Sequence, residues 1–238
     1  FKKMSPNELM YINWRDMFKP EKVQVTSKPS YGKFVCEPLE RGFGITIGNG
    51  LRRVILSSLH GAAITSVKFD GVMHEFSVIP GALEDVSEII LNLKEVRLKV
   101  SDTEPHIVRI ETEGEKKVTA GDIISDDGKC EILNKNLHIA TLGEGSKLNM
   151  VMTVKVGKGY ALAENNKDED APIGTIQIDA VFSPVKRVNY VVRNARVGQK
   201  TDYYKLKLEV WTDGRKLPEN SVAYAAKILK DQMSIFIN

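Results

Sequence analysis

Residues 37–58 read EPLERGFGITIGNGLRRVILSS, and the architecture turns on how this stretch folds. It opens with a glycine-rich bend, Arg41-Gly42-Phe43-Gly44. Beyond the bend, Ile47, Leu51, Val54, Ile55 and Leu59 recur at i, i+4, i+7, i+8 and i+12, a continuous apolar stripe at the helical period. Thr46 is the predicted N-cap, and Gly61 the predicted left-handed residue closing the helix. Gly42, Gly44, Gly48 and Gly50 do not make a dinucleotide fingerprint, because its third glycine falls on Ile47, and no phosphate-binding GxxxxGK string exists. The glycines therefore read as a bend feeding a closely packed helix.

Working outward, Val23–Val25 and Tyr31–Leu39 read as extended before the bend. After the helix, Val67–Phe69 and Val72–Phe76 flank Asp70-Gly71, which predicts a hairpin. A second helix is expected from Ala82 to Lys94, with Val86, Ile89, Ile90 and Leu93 on one face. Its charges, Glu84 and Asp85 at the start and Lys94 at the end, suit the helix dipole. Strands are expected at Val96–Val100, Ile107–Thr112, Leu148–Val156 and Ile173–Phe182. Two more alternate at Val188, Tyr190, Val192 and at Leu206, Leu208, Val210. Pro218 suits the first turn of a final helix carrying Val222, Ala225, Ala226, Leu229, Met233 and Phe236. This order is not a βαβ alternation; it predicts an α+β fold.

The 238 residues carry 34 Lys and Arg against 31 Asp and Glu, a net charge of +3, and are 42% hydrophobic, which excludes a disordered chain. No run approaches the roughly 18 apolar residues needed to span a membrane. Phe1–Leu9 lacks the apolar core of a secretory signal. Two cysteines, Cys36 and Cys130, fit a reducing, cytoplasmic setting.

Catalytic chemistry is hard to find. His74-Glu75 begins like a zinc-protease motif, but Val78 holds the second histidine position. His60, His106 and His138 have no cysteine or carboxylate partner at ligand spacing, so neither a metal nor a cofactor is expected. Ser183-Pro-Val-Lys186 is a chance SxxK match without its companion motifs. Asp168, Glu169 and Asp170 read as a solvated loop within the polar segment Glu164–Ala171. The basic pairs Arg52-Arg53, Lys116-Lys117 and Lys186-Arg187 are too short for an electrostatic tail. From spacing alone, Arg53 is a residue of a solvated helix face.

The helices at Thr46–Leu59 and Pro218–Ile237 are apolar over more of their circumference than one sheet covers, since Leu56, Ile228 and Ile235 widen the stripes. Each such side chain left wet forfeits roughly 1.5–3 kcal/mol. A two-fold dimer of paired helices would cover them; a larger monomeric core wrapping both faces is the alternative. The expected dimer face comprises Ile47, Leu51, Val54 and Ile55 with Val222, Ala226, Leu229, Met233 and Phe236.

The 37–58 string closely resembles the signature helix of the bacterial RNA polymerase α-subunit family. So do Asp70-Gly-Val-Met-His-Glu-Phe76, Glu88–Lys94, Ala171-Pro-Ile-Gly174, Asp179–Arg187 and Arg196–Asp202. The match runs in the family's order from about Asn13 onward and leaves 1–12 outside; around Gly114–Gly145 only the pattern matches. The resemblance implies a dimerisation subdomain made from both chain ends (13–59 and 184–238), around an inserted, mostly β subdomain (60–183). It implies a homodimer, cytoplasmic and nucleoid-associated, on which the polymerase β and β′ subunits assemble, with ω and σ in the holoenzyme. By motif, Arg53 and Leu56 correspond to β contacts, and Lys94, Asp179 and Arg187 to positions facing β or β′. Catalysis would belong to the large subunits. Family members carry a further helical DNA-binding domain that these residues do not match, so no direct DNA contact is expected here. A dimeric α+β binding module unrelated to transcription is the alternative, and an enzyme with a site at the dimer seam a third reading.

Overall fold

The computed structural model describes residues 17, 20, 22–166 and 171–237. Asp168, Glu169 and Asp170 lie outside the described residues. In chain order the first elements are β1 (Gln24–Lys28), β2 (Tyr31–Leu39), α1 (Phe43–Ser57), β3 (His60–Phe69), α2 (Val86–Lys94) and β4 (Leu98–Val100). Then come β5 (His106–Glu113), β6 (Lys116–Thr119), β7 (Ile124–Ser125), β8 (Cys130–Ile132), β9 (His138–Leu142) and β10 (Lys147–Lys158). The chain ends with β11 (Tyr160–Ala161), β12 (Thr175–Gln177), β13 (Ala180–Val181), β14 (Val185–Val197), β15 (Lys200–Thr212) and α3 (Pro218–Ser234). Among the described residues, three α-helices on antiparallel strands make an α+β fold.

A four-stranded sheet in the order β1-β2-β15-β14 draws on both ends of the described chain. The long β14–β15 hairpin supplies Val185, Val188, Leu208 and Val210 to a core shared with Phe34, Ile55, Leu59 and Ala225. A seven-stranded sheet, β7-β5-β10-β3-β4-β8 with β12 also on β3, carries a second and larger core. There Leu148, Met150, Met152 and Val154 point inward from β10, as their alternation requires, against Val86, Ile89, Ile90 and Leu93 of α2.

Several boundaries differ from expectation. Gly42, at φ +92°, caps α1 in a conformation that glycine adopts without strain, so the helix starts before Thr46. The Thr46 hydroxyl instead donates to the Gly42 carbonyl at 3.3 Å within the first turn. Gly61 does not close the helix; it lies in β3 opposite Gly157. No strand forms at Val72–Phe76, because β10 on one side of β3, and β4 and β12 on the other, occupy its edges. The second helix begins at Val86, where the Asp85 carboxylate accepts the Glu88 N–H at 2.7 Å. Glu84 lies outside it, bonded to His138 (2.7 Å) and to the Thr141 N–H (2.6 Å) of β9. The expected strand Ile173–Phe182 is split: β12 joins β3 while β13 joins β11.

The glycines of α1 do what close packing demands. A Cβ on Gly48 would lie 2.7 Å from the Tyr190 ring and 2.9 Å from Leu206, and one on Gly44 would lie 3.0 Å from Val192. The helix therefore sits directly on β14 and β15.

The two cores are joined by the β15–α3 connection. Arg215 donates to the Asp213 carboxylate at 2.7 Å, to the Ala62 carbonyl at 2.6 Å and to the Ser183 carbonyl at 2.8 Å, with weaker bonds to Val181. Both side chains are deeply buried, 8% and 7% exposed. Arg97 adds a 2.9 Å bond to the Asp213 carbonyl. Removing one member of a buried pair strands the other. Arg215→Ala is therefore expected to lower unfolding stability by roughly 3–5 kcal/mol, read from urea denaturation. Arg215→Lys should recover little, because an ammonium cannot reproduce the planar fork.

Candidate assembly interface

α3 presses Pro218, Ser221 and Ala225 onto the four-stranded sheet, a spacing that leaves its opposite face uncovered. At its last turn and just beyond it, large apolar side chains are exposed among polar ones: Met233 is 60% and Phe236 84% accessible, and Ile235 and Ile237 are similar. α1 lies beside it, with Gly50 facing Leu229. Of the expected dimer-face residues, Ile47, Leu51, Val54, Val222 and Leu229 are half-buried, and Ala226, Met233 and Phe236 are exposed. Ile55 is a correction: at 0% exposure it is sealed in the chain's own core, on the side of α1 that meets the sheet, and has no surface to offer. Leu51, Val54 and Leu56 also pack in part against that core, so the stripe is narrower than its sequence suggests.

The other motif-matched residues fall in three places. Arg53 is exposed on α1, one turn before Leu56. Lys94, at the end of α2, and Asp179, between β12 and β13, meet in an ion pair at 3.2 Å. Asp179 also accepts the Ala163 N–H at 2.8 Å and the Tyr160 hydroxyl. That N–H first, then Lys94 and Tyr160, hold its carboxyl below the usual carboxylate range. Arg187, on β14, stacks over the Trp211 ring at 4.9 Å, and Trp211 leans on Tyr31 at 5.3 Å. The Tyr31 hydroxyl in turn donates to Glu209 at 2.8 Å. The stack crosses β14, β15 and β2, which presents the guanidinium on a rigid aromatic platform.

A second apolar surface borders the larger core, where Met73, Phe76, Val78 and Leu83 are largely exposed in the segment between β3 and α2. Ile173 is exposed too, and its neighbour Gly174 lies against Val72 and Met73.

Three polar constellations escaped the sequence reading: the Arg215 clasp, the Glu84–His138 bond, and a cluster about His106. The His106 ring, 3% exposed, has Asp127 at 2.5 Å from Nδ1 and Asp102 at 2.8 Å from Nε2. Carboxylates face the imidazole on both sides; Asp127 chiefly, and also Asp102, raise its pKa against the effect of burial. Asp102, four residues before His106, was within sequence reach, but Asp127 arrives only through the β7–β8 turn. The His74 ring meets the Ser77 hydroxyl at 3.1 Å, and its carbonyl accepts the Ser77 N–H at 3.2 Å, within a bend rather than a strand. Among the described residues no helix is long and apolar enough to cross a membrane.

Residues 67–183, which hold most of the larger core, match the family model of the RNA polymerase Rpb3/RpoA insert domain. Over nearly the whole chain the likeness is closer still. It is 68% identical to the DNA-directed RNA polymerase subunit alpha of Desulfosudis oleivorans, covering 98% of this chain and 69% of that protein. The subunits alpha of Desulforapulum autotrophicum and Geobacter metallireducens are 65% and 60% identical, over 99% and 96% of this chain and 69% and 68% of theirs. The chain belongs to the DNA-directed RNA polymerase α-subunit family. It is thus a non-catalytic subunit of a transcribing nucleotidyltransferase.

One prediction follows from the Asp179 hub. Because its folded-state pKa is depressed, its contribution is present above the ordinary carboxylate pKa of about 3.9 and is lost as pH falls through the lower folded value. Asp179→Asn should cost about 1 kcal/mol at neutral pH. The gap from the unaltered chain should close in acid, as followed by thermal melts across pH.

Proposed function

We propose that this chain homodimerises through α1 and α3 and that the dimer is the cytoplasmic platform on which the β and β′ subunits of the polymerase assemble. In this reading the four-stranded sheet and its helices are the dimerisation subdomain. The seven-stranded sheet is the insert, a division supported by the separate cores and by the insert-domain match at 67–183. The observation that carries the dimer is the exposed apolar end of α3. Four large side chains, Met233, Ile235, Phe236 and Ile237, stand in water there, and at roughly 1.5–3 kcal/mol each their burial rivals the net stability of a domain. Ala226, Leu229, Val222, Leu51 and Ile47 extend that face, and Ile55 supports it from beneath.

For the large subunits, Arg53 and Leu56 on α1, the Lys94–Asp179 pair and Arg187 are the proposed contacts. Arg53 is free to extend its five-donor fork to a partner's carboxylates or carbonyls, and the stacking of Arg187 on Trp211 lowers the entropy cost of using it. The exposed Met73, Phe76 and Ile173 provide an apolar surface of the kind that marks protein interfaces. No DNA contact is assigned to these residues.

Sedimentation velocity tests the dimer: the unaltered chain should run as a dimer, and the double variant Met233→Glu, Phe236→Glu as a folded monomer by circular dichroism. A well-folded single 26.6 kDa particle from the unaltered chain would overturn the proposal. For the large-subunit contact, Arg53→Ala should leave sedimentation unchanged yet weaken capture of purified β subunit by on the order of tenfold. Equal capture would remove Arg53 from the interface.

A further inference from the structure

His106, Asp127 and Cys130 place their ligating atoms all within 4.8 Å of one another, and they form the one such group found among the described residues. We propose that His106 Nδ1, the Asp127 carboxylate and Cys130 Sγ form a zinc site that ties β5 to the β7–β8 turn, with water in the fourth position.

The geometry of the surrounding groups supports this. The imidazole is buried and fixed in position. Asp102 Oδ1, 2.8 Å from Nε2, accepts the proton on that nitrogen and so leaves Nδ1 as the ligand. A carboxylate on the far nitrogen is the arrangement that orients metal-bound histidines. Asp102 is itself held by the Lys129 ammonium at 2.8 Å and the Glu104 N–H at 3.1 Å. Asp127 is aimed in the same way. Its Oδ1 accepts the Ser125 hydroxyl (2.8 Å) and the Lys129 N–H (2.9 Å), while Oδ2 is hydrogen-bonded to Nδ1 at 2.5 Å, a bond that the ion would replace. Cys130 is registered opposite Val100 of β4, and its N–H donates to Ser125 Oγ at 3.3 Å.

One nitrogen, one oxygen and one sulfur donor suit zinc better than calcium or magnesium, which take oxygen alone. The charges also close: a thiolate and a carboxylate neutralise the dication, while Lys129 offsets Asp102. Binding would release the Nδ1 proton and the thiol proton to solvent, with no change of oxidation state. Asp102, which backs the imidazole, also lines an open cleft of about 600 Å³ bordered by His60, Lys99 and Glu131.

The test uses the whole chain, stripped with a chelator and titrated with Zn²⁺ against a chromophoric competitor. A single saturable equivalent is expected. It should be lost in the double variant Asp127→Asn, Cys130→Ser and bound roughly 10–100-fold more weakly in Asp102→Asn. Co²⁺ should give thiolate-to-cobalt charge-transfer absorption. A measurement on the unaltered chain guards against misfolded variants: Zn²⁺ should slow alkylation of Cys130 while leaving Cys36 unaffected. Absence of a saturable equivalent, binding that survives the double variant, or equal alkylation with and without Zn²⁺ would each overturn the site.

Discussion

Arg215 and Asp213 form the contact on which the arrangement of the whole molecule depends. A buried arginine is costly unless each N–H finds an acceptor, and here the acceptors are a carboxylate two residues away and carbonyls of Ala62, Val181 and Ser183. Those carbonyls belong to the start of β3 and to the segment around β13, where the chain enters and leaves the larger sheet. The donor sits between β15 and α3, on the smaller one. A single planar group thus fixes one core against the other. Its worth is chiefly in specificity, since the desolvation of a buried ion pair offsets much of its attraction, whereas an apolar contact at the same place would allow sliding.

That fixed arrangement matters because α1 has little freedom either. Gly44 and Gly48 let it approach so near to Tyr190, Val192, Tyr204 and Leu206 that no side chain intervenes. A helix seated on backbone-close contacts cannot roll, so Arg53 and Leu51 keep their bearing relative to the sheet and to α3. Pre-organisation of this kind reduces what association must spend on ordering.

What could be read in advance follows from the range of the forces involved. The periodicities of α1, α3, β10, β14 and β15 are local, and each element formed where its pattern lay. The hairpin expected at Asp70-Gly71 failed because turn propensity is also local, whereas strand pairing is a competition that β10, β4 and β12 won. Glu84 looked like a helix-start charge until β9, more than fifty residues on in the chain, supplied better donors. The apolar character of the α3 end was legible, but the inward orientation of Ile55 was not: a stripe at 3.6 residues per turn does not say which of its edges meets the sheet. The His106 cluster needed the β7–β8 turn to fold before its members became neighbours.

Polar and apolar side chains accordingly do different work here. Where Arg215, Glu84 and Asp179 are bonded on several sides, their partners come from this same chain, so these contacts specify one fold and leave little capacity for an outside ligand. Where Met233, Phe236, Met73 and Ile173 stand exposed, the chain alone leaves them wet, in two patches borne on different cores. An isolated exposed side chain means nothing by itself, whereas several on one segment are the feature on which the proposed contacts rest. Because the Arg215 clasp holds the two cores in one orientation, those patches have a set spacing. A set spacing between exposed apolar surfaces is what the proposed platform role would use, because partners meeting two faces of one rigid subunit need spend little on ordering it.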